Sequence, residues 1–202
     1  MRLLVEDLAC VRGERSLFRG LGFTVGAGEA LLVTGPNGAG KSSLLRLIAG
    51  LLRPAQGRIV LEGAESDRSG GSAAHFVGHL DAVKGALSVL ENLAFARSLF
   101  GGGRARADAA LARLGLQQLA SIPARMLSAG QRRRLALARL VVVRRPLWLL
   151  DEPTTSLDAE GQETLVALVN EHLSGGGLVV AATQAPLKFT RANEIRLGGG
   201  AA

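Results

Sequence analysis

The sequence predicts an α/β fold: a mostly parallel sheet covered on both faces by helices. Three observations carry this. Short apolar runs at Ala30–Thr34, Leu147–Leu150 and Leu178–Ala182 read as buried strands. Stretches with helical spacing, Lys41–Ala49 and Ala159–Leu173, stand among them, so strand and helix alternate. From about Leu87 the pattern turns helical, and a stretch of roughly 80–143 is inserted between two such strand–helix units.

Element by element, Arg2–Leu8 alternates loosely and suits an edge strand, and Phe23–Val25 is a second short strand. Ala30–Thr34 runs into a glycine-rich loop, and the helix that follows is ended by Gly50. Arg58–Leu61 is another short strand. Gly63–Ser72 is small and polar, a surface loop. His75–Gly78 reads as a buried strand leaving at Gly78. In the helical stretch, Leu90, Leu93 and Ala94 share one face. Leu111, Leu114 and Leu116 belong to a later helix, beyond Gly101-Gly102-Gly103. Ser128 is an N-cap for a helix through Val143, and Glu194–Leu197 is the last strand. The sequence shows no internal repeat, and residues 1–202 read as a single domain.

A chain of 202 residues, 48% of them apolar, can fill one core, and with only 3% aromatics that core is built from Leu, Val and Ala. No apolar stretch reaches the ~20 residues of a membrane span; Leu135–Val143 is broken by Arg139. The net charge of +7 leaves two readings, an anionic partner or solvated arginine-rich faces. Basic residues are not interleaved with aromatics, so nucleic acid is not an expected partner. Cys10 is the single cysteine, which rules out an internal disulfide. Glu6 and Asp7 interrupt the apolar run that a signal segment would need, so the expectation is a cytoplasmic protein.

The chemistry is concentrated in three motifs. Gly35-Pro36-Asn37-Gly38-Ala39-Gly40-Lys41-Ser42 fits a phosphate-binding loop, set between a predicted strand and a predicted helix. Its glycines let successive N–H groups face phosphate oxygens, and the helix start, with Ser43, adds its positive end. Lys41 should reach the terminal phosphates of ATP and the Ser42 hydroxyl should ligate Mg²⁺. Asp151 ends an apolar strand, where a carboxylate holds Mg²⁺, and Glu152 after it is the candidate base for the attacking water. Leu127-Ser128-Ala129-Gly130-Gln131 opens a helix, and such a terminus either binds an anion or is an ordinary cap. Ser156-Leu157-Asp158 follows the acidic pair and also has the form of a helix cap.

With these motifs in this order, the chain resembles the ATP-binding-cassette ATPases over nearly its whole length. The resemblance implies a P-loop NTPase nucleotide-binding domain with a RecA-like core, N-terminal antiparallel strands and an inserted α-helical subdomain. It also implies a head-to-tail homodimer around two ATP molecules. In it, Ser128, Gly130 and Gln131 contact the partner's nucleotide, and Ser156–Asp158 crosses the interface. A narrower resemblance is carried by Cys10-Val11-Arg12, Gly78-His79, Lys84, Leu87-Ser88-Val89-Leu90-Glu91-Asn92-Leu93 and Leu127–Arg134. These are similar to the cytochrome c biogenesis ATP-binding export protein family, heme-exporter ATPases. That implies separate integral membrane permease subunits at the cytoplasmic face of the inner membrane. The role it implies is to drive release of a heme-loaded chaperone.

Three positions depart from the family pattern. Arg12 stands where an aromatic stacks on adenine; a guanidinium can stack on a base or point to solvent. His79 occupies the place of a metal- and water-sensing glutamine, with Leu80 after it. Gln184 replaces a histidine that touches the γ-phosphate, and an amide cannot carry that charge. Other readings are an exporter ATPase for a different substrate, a weakly hydrolysing regulatory subunit and a non-transport cassette protein. There is no Cys-Pro dipeptide and no Cys-x-x-Cys-His motif, so no direct heme contact is expected.

Overall fold

In the computed structural model, which describes residues 1–63, 73–100 and 104–198, the elements alternate as the sequence predicts. Strands β1 (Arg2–Arg12), β2 (Arg15–Gly26) and β4 (Gln56–Glu62) form an antiparallel sheet in the order β2-β1-β4. Strands β3 (Ala30–Thr34), β5 (Ala74–Val77), β6 (Leu147–Asp151), β7 (Leu178–Ala182) and β8 (Ala192–Arg196) form a parallel sheet in the order β5-β6-β7-β3-β8. The helices are α1 (Lys41–Ile48), α2 (Val89–Phe100), α3 (Arg104–Arg113), α4 (Ala129–Val142) and α5 (Ala159–Ser174). No helix of the described residues is long and apolar enough to cross a membrane.

Several local expectations are corrected. β1 is the central strand of its sheet, not an edge, because β2 and β4 pair on either side of it. β5 is an edge strand in which only Val77 is buried; among the described residues it pairs β6 alone. Leu90 is exposed while Leu93 is buried, since the inward stripe of α2 is Val89, Asn92, Leu93 and Ala96. α4 stops at Val142, because Val143 is already extended. The expected loop at Gly63–Ser72, beyond Gly63 itself, and the glycine break at Gly101–Gly103 lie outside the described residues.

The chain divides into two compact units. The first comprises residues 1–78, 146–153 and 169–202; the second comprises 79–145 and 154–168. In the first, Leu3, Val5, Leu8 and Cys10 of β1 meet Leu44, Leu45 and Ile48 of α1 and Leu147 and Leu149 of β6 in one core. Burial on alternate faces explains the continuous apolar runs of β6 and β7, all of whose residues are buried. Trp148 points away from that core and stacks on His172 of α5, ring centroids 3.9 Å apart and planes 5° from parallel. His172 Nε2 lies 3.1 Å from the Pro146 carbonyl. Burial lowers the pKa of that imidazole below the usual histidine value.

In the second unit, α2 and α3 pack on α4, whose Leu135, Ala136, Leu137, Ala138 and Leu140 are buried. Ser88 caps α2 reciprocally with Glu91: Glu91 N–H donates to Ser88 Oγ and Ser88 N–H to Glu91 Oε2.

Candidate functional site: a phosphate loop and an acidic strand end

The loop from Gly35 to Gly40 joins β3 to α1. Gly35, Gly38 and Gly40 have φ of 130°, 81° and 101°, which L side chains rarely adopt. A Cβ at Gly35 would stand 2.2 Å from the Leu197 carbonyl oxygen, so strand and loop meet only because there is none. Gly40 is the N-cap of α1 and supplies no side-chain cap. The first amides of α1, on Lys41, Ser42 and Ser43, therefore have no intrahelical acceptor and stand at the positive end of the helix. Lys41 is buried and its Nζ donates to the Gly35 and Pro36 carbonyls at 2.7 and 3.3 Å, curled over the loop.

Behind the loop lies the antiparallel sheet. Cys10 and Phe18 are partners in the β1–β2 ladder. The Cys10 thiol is buried, and its pKa is raised, burial being the largest cause. A Cβ at Gly40 would touch the Phe18 ring at 3.1 Å. Phe18 is thus the aromatic residue seated on the phosphate loop. Sequence reading passed over it and weighed Arg12, which is exposed at the hairpin end of β1, paired with Arg15. The signal was strand register: only the ladder brings Phe18 opposite Cys10.

The acidic pair closes the site. Asp151 is 2% exposed at the end of β6, and its Oδ1 accepts the Ser42 hydroxyl at 2.9 Å. Glu152 has φ 44°, a costly conformation for a non-glycine residue, held in part by its N–H on the Ala182 carbonyl at 2.9 Å. Its Oε2 accepts the Gln184 backbone N–H at 3.3 Å, and Gln184 Nε2 donates to Asn37 Oδ1 at 2.5 Å. The loop, Asp151, Glu152 and Gln184 thus converge within one unit. A hydroxyl beside a buried carboxylate is a hard oxygen pair suited to Mg²⁺, and the open loop amides suit a polyphosphate.

The other sequence-predicted residues lie in the second unit. Ser128 caps α4 in a full capping box: Gln131 N–H donates to Ser128 Oγ, and Ser128 N–H donates to Gln131 Oε1. A Cβ on Gly130 would stand 2.8 Å from the Ser156 carbonyl oxygen, so glycine lets the segment after the acidic pair lie against the start of α4. Asp158 N-caps α5 through the Gly161 N–H at 2.9 Å and takes Arg134 Nη2 on both oxygens, at 2.6 and 2.8 Å. Arg134 first, then the Gly161 amide, holds the Asp158 carboxyl below the usual range. Arg133, nearly fully buried, pairs with Asp81 at 3.1 Å, while Arg139 donates to the Asp81 and Ala82 carbonyls. These arginines tie segment 79–84 to α4, which sequence reasoning did not detect. His79 is exposed, and Leu80 beside it is 84% exposed.

A family model described as "ABC transporter" matches residues 18–155, which contain the loop, the Ser128 helix start and the acidic pair. Over 201 residues, covering 100% of each chain to the nearest per cent, the sequence is 56% identical to "Cytochrome c biogenesis ATP-binding export protein CcmA" of Rhodopseudomonas palustris (strain BisB5). The chain belongs to the ABC transporter ATP-binding family, in the branch of the cytochrome c biogenesis ATP-binding export proteins. Its fold matches an ABC transporter ATP-binding protein from Pyrococcus furiosus, with TM-score 0.85, 25% identity and 98% of each chain covered. A dimeric ATP-binding cassette in a post-hydrolysis state, bound to ADP and Pi, has the same fold at TM-score 0.81 and 24% identity, with 96% of this chain and 94% of that one covered. As an ABC ATPase domain, the chain binds nucleotide.

Proposed function

We propose that this protein is the ATP-hydrolysing subunit of an ABC-type membrane complex for cytochrome c maturation, acting in heme delivery or release of a heme-loaded chaperone. The observation that carries ATP hydrolysis is the Ser42–Asp151 contact beneath an uncapped phosphate loop, with Glu152 next in the chain, and what supports the cytochrome c assignment is the 56% identity to the relative of that name. The loop amides and Lys41 hold the phosphates of ATP, with Lys41 leaving its own loop carbonyls to do so. Ser42 and Asp151 hold Mg²⁺, which neutralises phosphate charge when bound. Glu152 accepts a proton from the attacking water as the terminal phosphoryl group leaves ADP. Ser128, Gly130, Gln131 and Asp158 serve the nucleotide of a second copy, in a head-to-tail homodimer. Arg12 lies toward the base, His79 stands in for the family's glutamine, and Gln184 occupies the place of the family's histidine, beside Asn37 and Glu152.

The whole chain acts as one cassette domain carrying a helical insert of about 80–143. It sits peripherally at the cytoplasmic face of the inner membrane on integral permease subunits. The exposed Leu80 and the half-buried Val83 give those subunits an apolar seat. Heme does not touch this chain.

The decisive variant is Glu152→Gln in the purified complex. Turnover should fall by on the order of 10²–10⁴ while ATP still binds and accumulates a dimer. Hydrolysis at the wild-type rate would remove Glu152 from the chemistry.

A further inference from the structure

The contact between Gln184 and Asn37 has a direction. An Asn side chain has one accepting end and one donating end, as does Gln. In the structure Gln184 Nε2 donates and Asn37 Oδ1 accepts, at 2.5 Å. That leaves the Asn37 Nδ2 hydrogens as the polar groups it can turn toward the loop interior. The backbone of the same Gln184 is fixed by its N–H on Glu152 Oε2 at 3.3 Å. Gln184 therefore bridges the phosphate loop and the carboxylate that follows the acidic strand, all inside one compact unit.

We infer that Gln184 is a positioning residue: its amide fixes the orientation of Asn37, so that Asn37 presents N–H donors, not its carbonyl oxygen, to the terminal phosphate. The inference rests on the proposed role of Glu152 to say which end of the phosphate chain lies there. A donor toward an anion attracts and an acceptor repels, so the polarity of one amide decides whether Asn37 helps or hinders. Gln184 acts on the nucleotide through Asn37 and supplies no contact of its own. This differs from a simple exchange of one phosphate ligand for another.

The test uses the full chain and two non-reacting probes, the imido analogue of ATP and ADP, with the ratio of their dissociation constants as the readout. Gln184→Ala should lower the preference for the triphosphate by about three- to ten-fold, the value of a neutral hydrogen bond, and leave ADP affinity unchanged. Gln184→Glu should lower it further, because a carboxylate can only accept and turns Asn37 Oδ1 inward. In an Asn37→Ala background, Gln184→Ala should have no additional effect. Effects that multiply in the double variant would show that Gln184 meets the nucleotide itself and would overturn the inference. So would Gln184→Glu matching the wild type. Gln184 is exposed, and melting curves check that the variants fold. Hydrolysis by Glu152→Gln tests the base separately, so failure of one does not stand for failure of the other.

Discussion

α1 and α4 begin in opposite ways. α1 starts at Gly40, in a left-handed conformation with no side chain to satisfy its first amides. α4 starts at Ser128, with a reciprocal capping box to Gln131. Both are helix N-termini with the same positive end, yet one is complete without a ligand and the other is not. An uncapped start inside a glycine loop, followed by a buried lysine, is a start suited to an anion. A capped start keeps its structure alone and still has the Ser128 hydroxyl hydrogen to donate, since that oxygen is used only as an acceptor within the cap.

The strongest way to break this contrast is Gly35→Ala. The new Cβ would stand 2.2 Å from a backbone carbonyl at a φ of 130°, so loop and β8 must separate. A loss of about 2–4 kcal/mol is expected, with nucleotide binding abolished. Thermal unfolding and nucleotide titration of the purified chain measure both, and unchanged binding would mean that the loop does not depend on this close approach.

Ser128→Ala sharpens the contrast from the other side. Loss of the cap should cost about 1 kcal/mol, within the 0.5–2 kcal/mol range of such caps, while nucleotide affinity of the isolated chain stays the same. A denaturant titration showing no change would mean that Gln131 alone completes the helix start.

The smallest effect expected is on the acid side. Asp158 has a lowered folded-state pKa, so its contribution is present above the ordinary aspartate value of 3.8 and is lost as pH falls through the lower folded value. Comparing the acid unfolding of wild type and Asp158→Asn should show the wild-type advantage only above that window. An advantage that persists at the lowest pH would assign it to the helix cap and not to the charge.

Much of the first unit is legible in the sequence. Ala30–Val33, Leu147–Leu150 and Leu178–Ala182 are apolar throughout because both faces of the sheet are covered, and the glycine loop sits where a strand meets a helix. The antiparallel sheet was harder. Exposed and buried positions in β1 are shifted by bulges between Val5 and Leu8 and again near Cys10, so its alternation is weak and its central place is hidden. Phe18 and the Gln184–Asn37 bond depend on register and on contacts between distant elements, which spacing does not encode. The same holds for Arg133 and Arg139, whose places in the sequence give no sign that they bind Asp81 and its neighbour.

The Trp148–His172 stack makes the protein its own optical probe. Trp148 is the only tryptophan and there is no tyrosine, so near-ultraviolet emission comes from a single indole. That indole lies on β6, three residues before Asp151, face to face with an imidazole whose affinity for protons is reduced by burial. Its emission is therefore governed by whether His172 is neutral or charged and by how closely the two rings remain stacked. Without any attached dye, the colour and yield of that light report the integrity of the strand that presents the acidic pair.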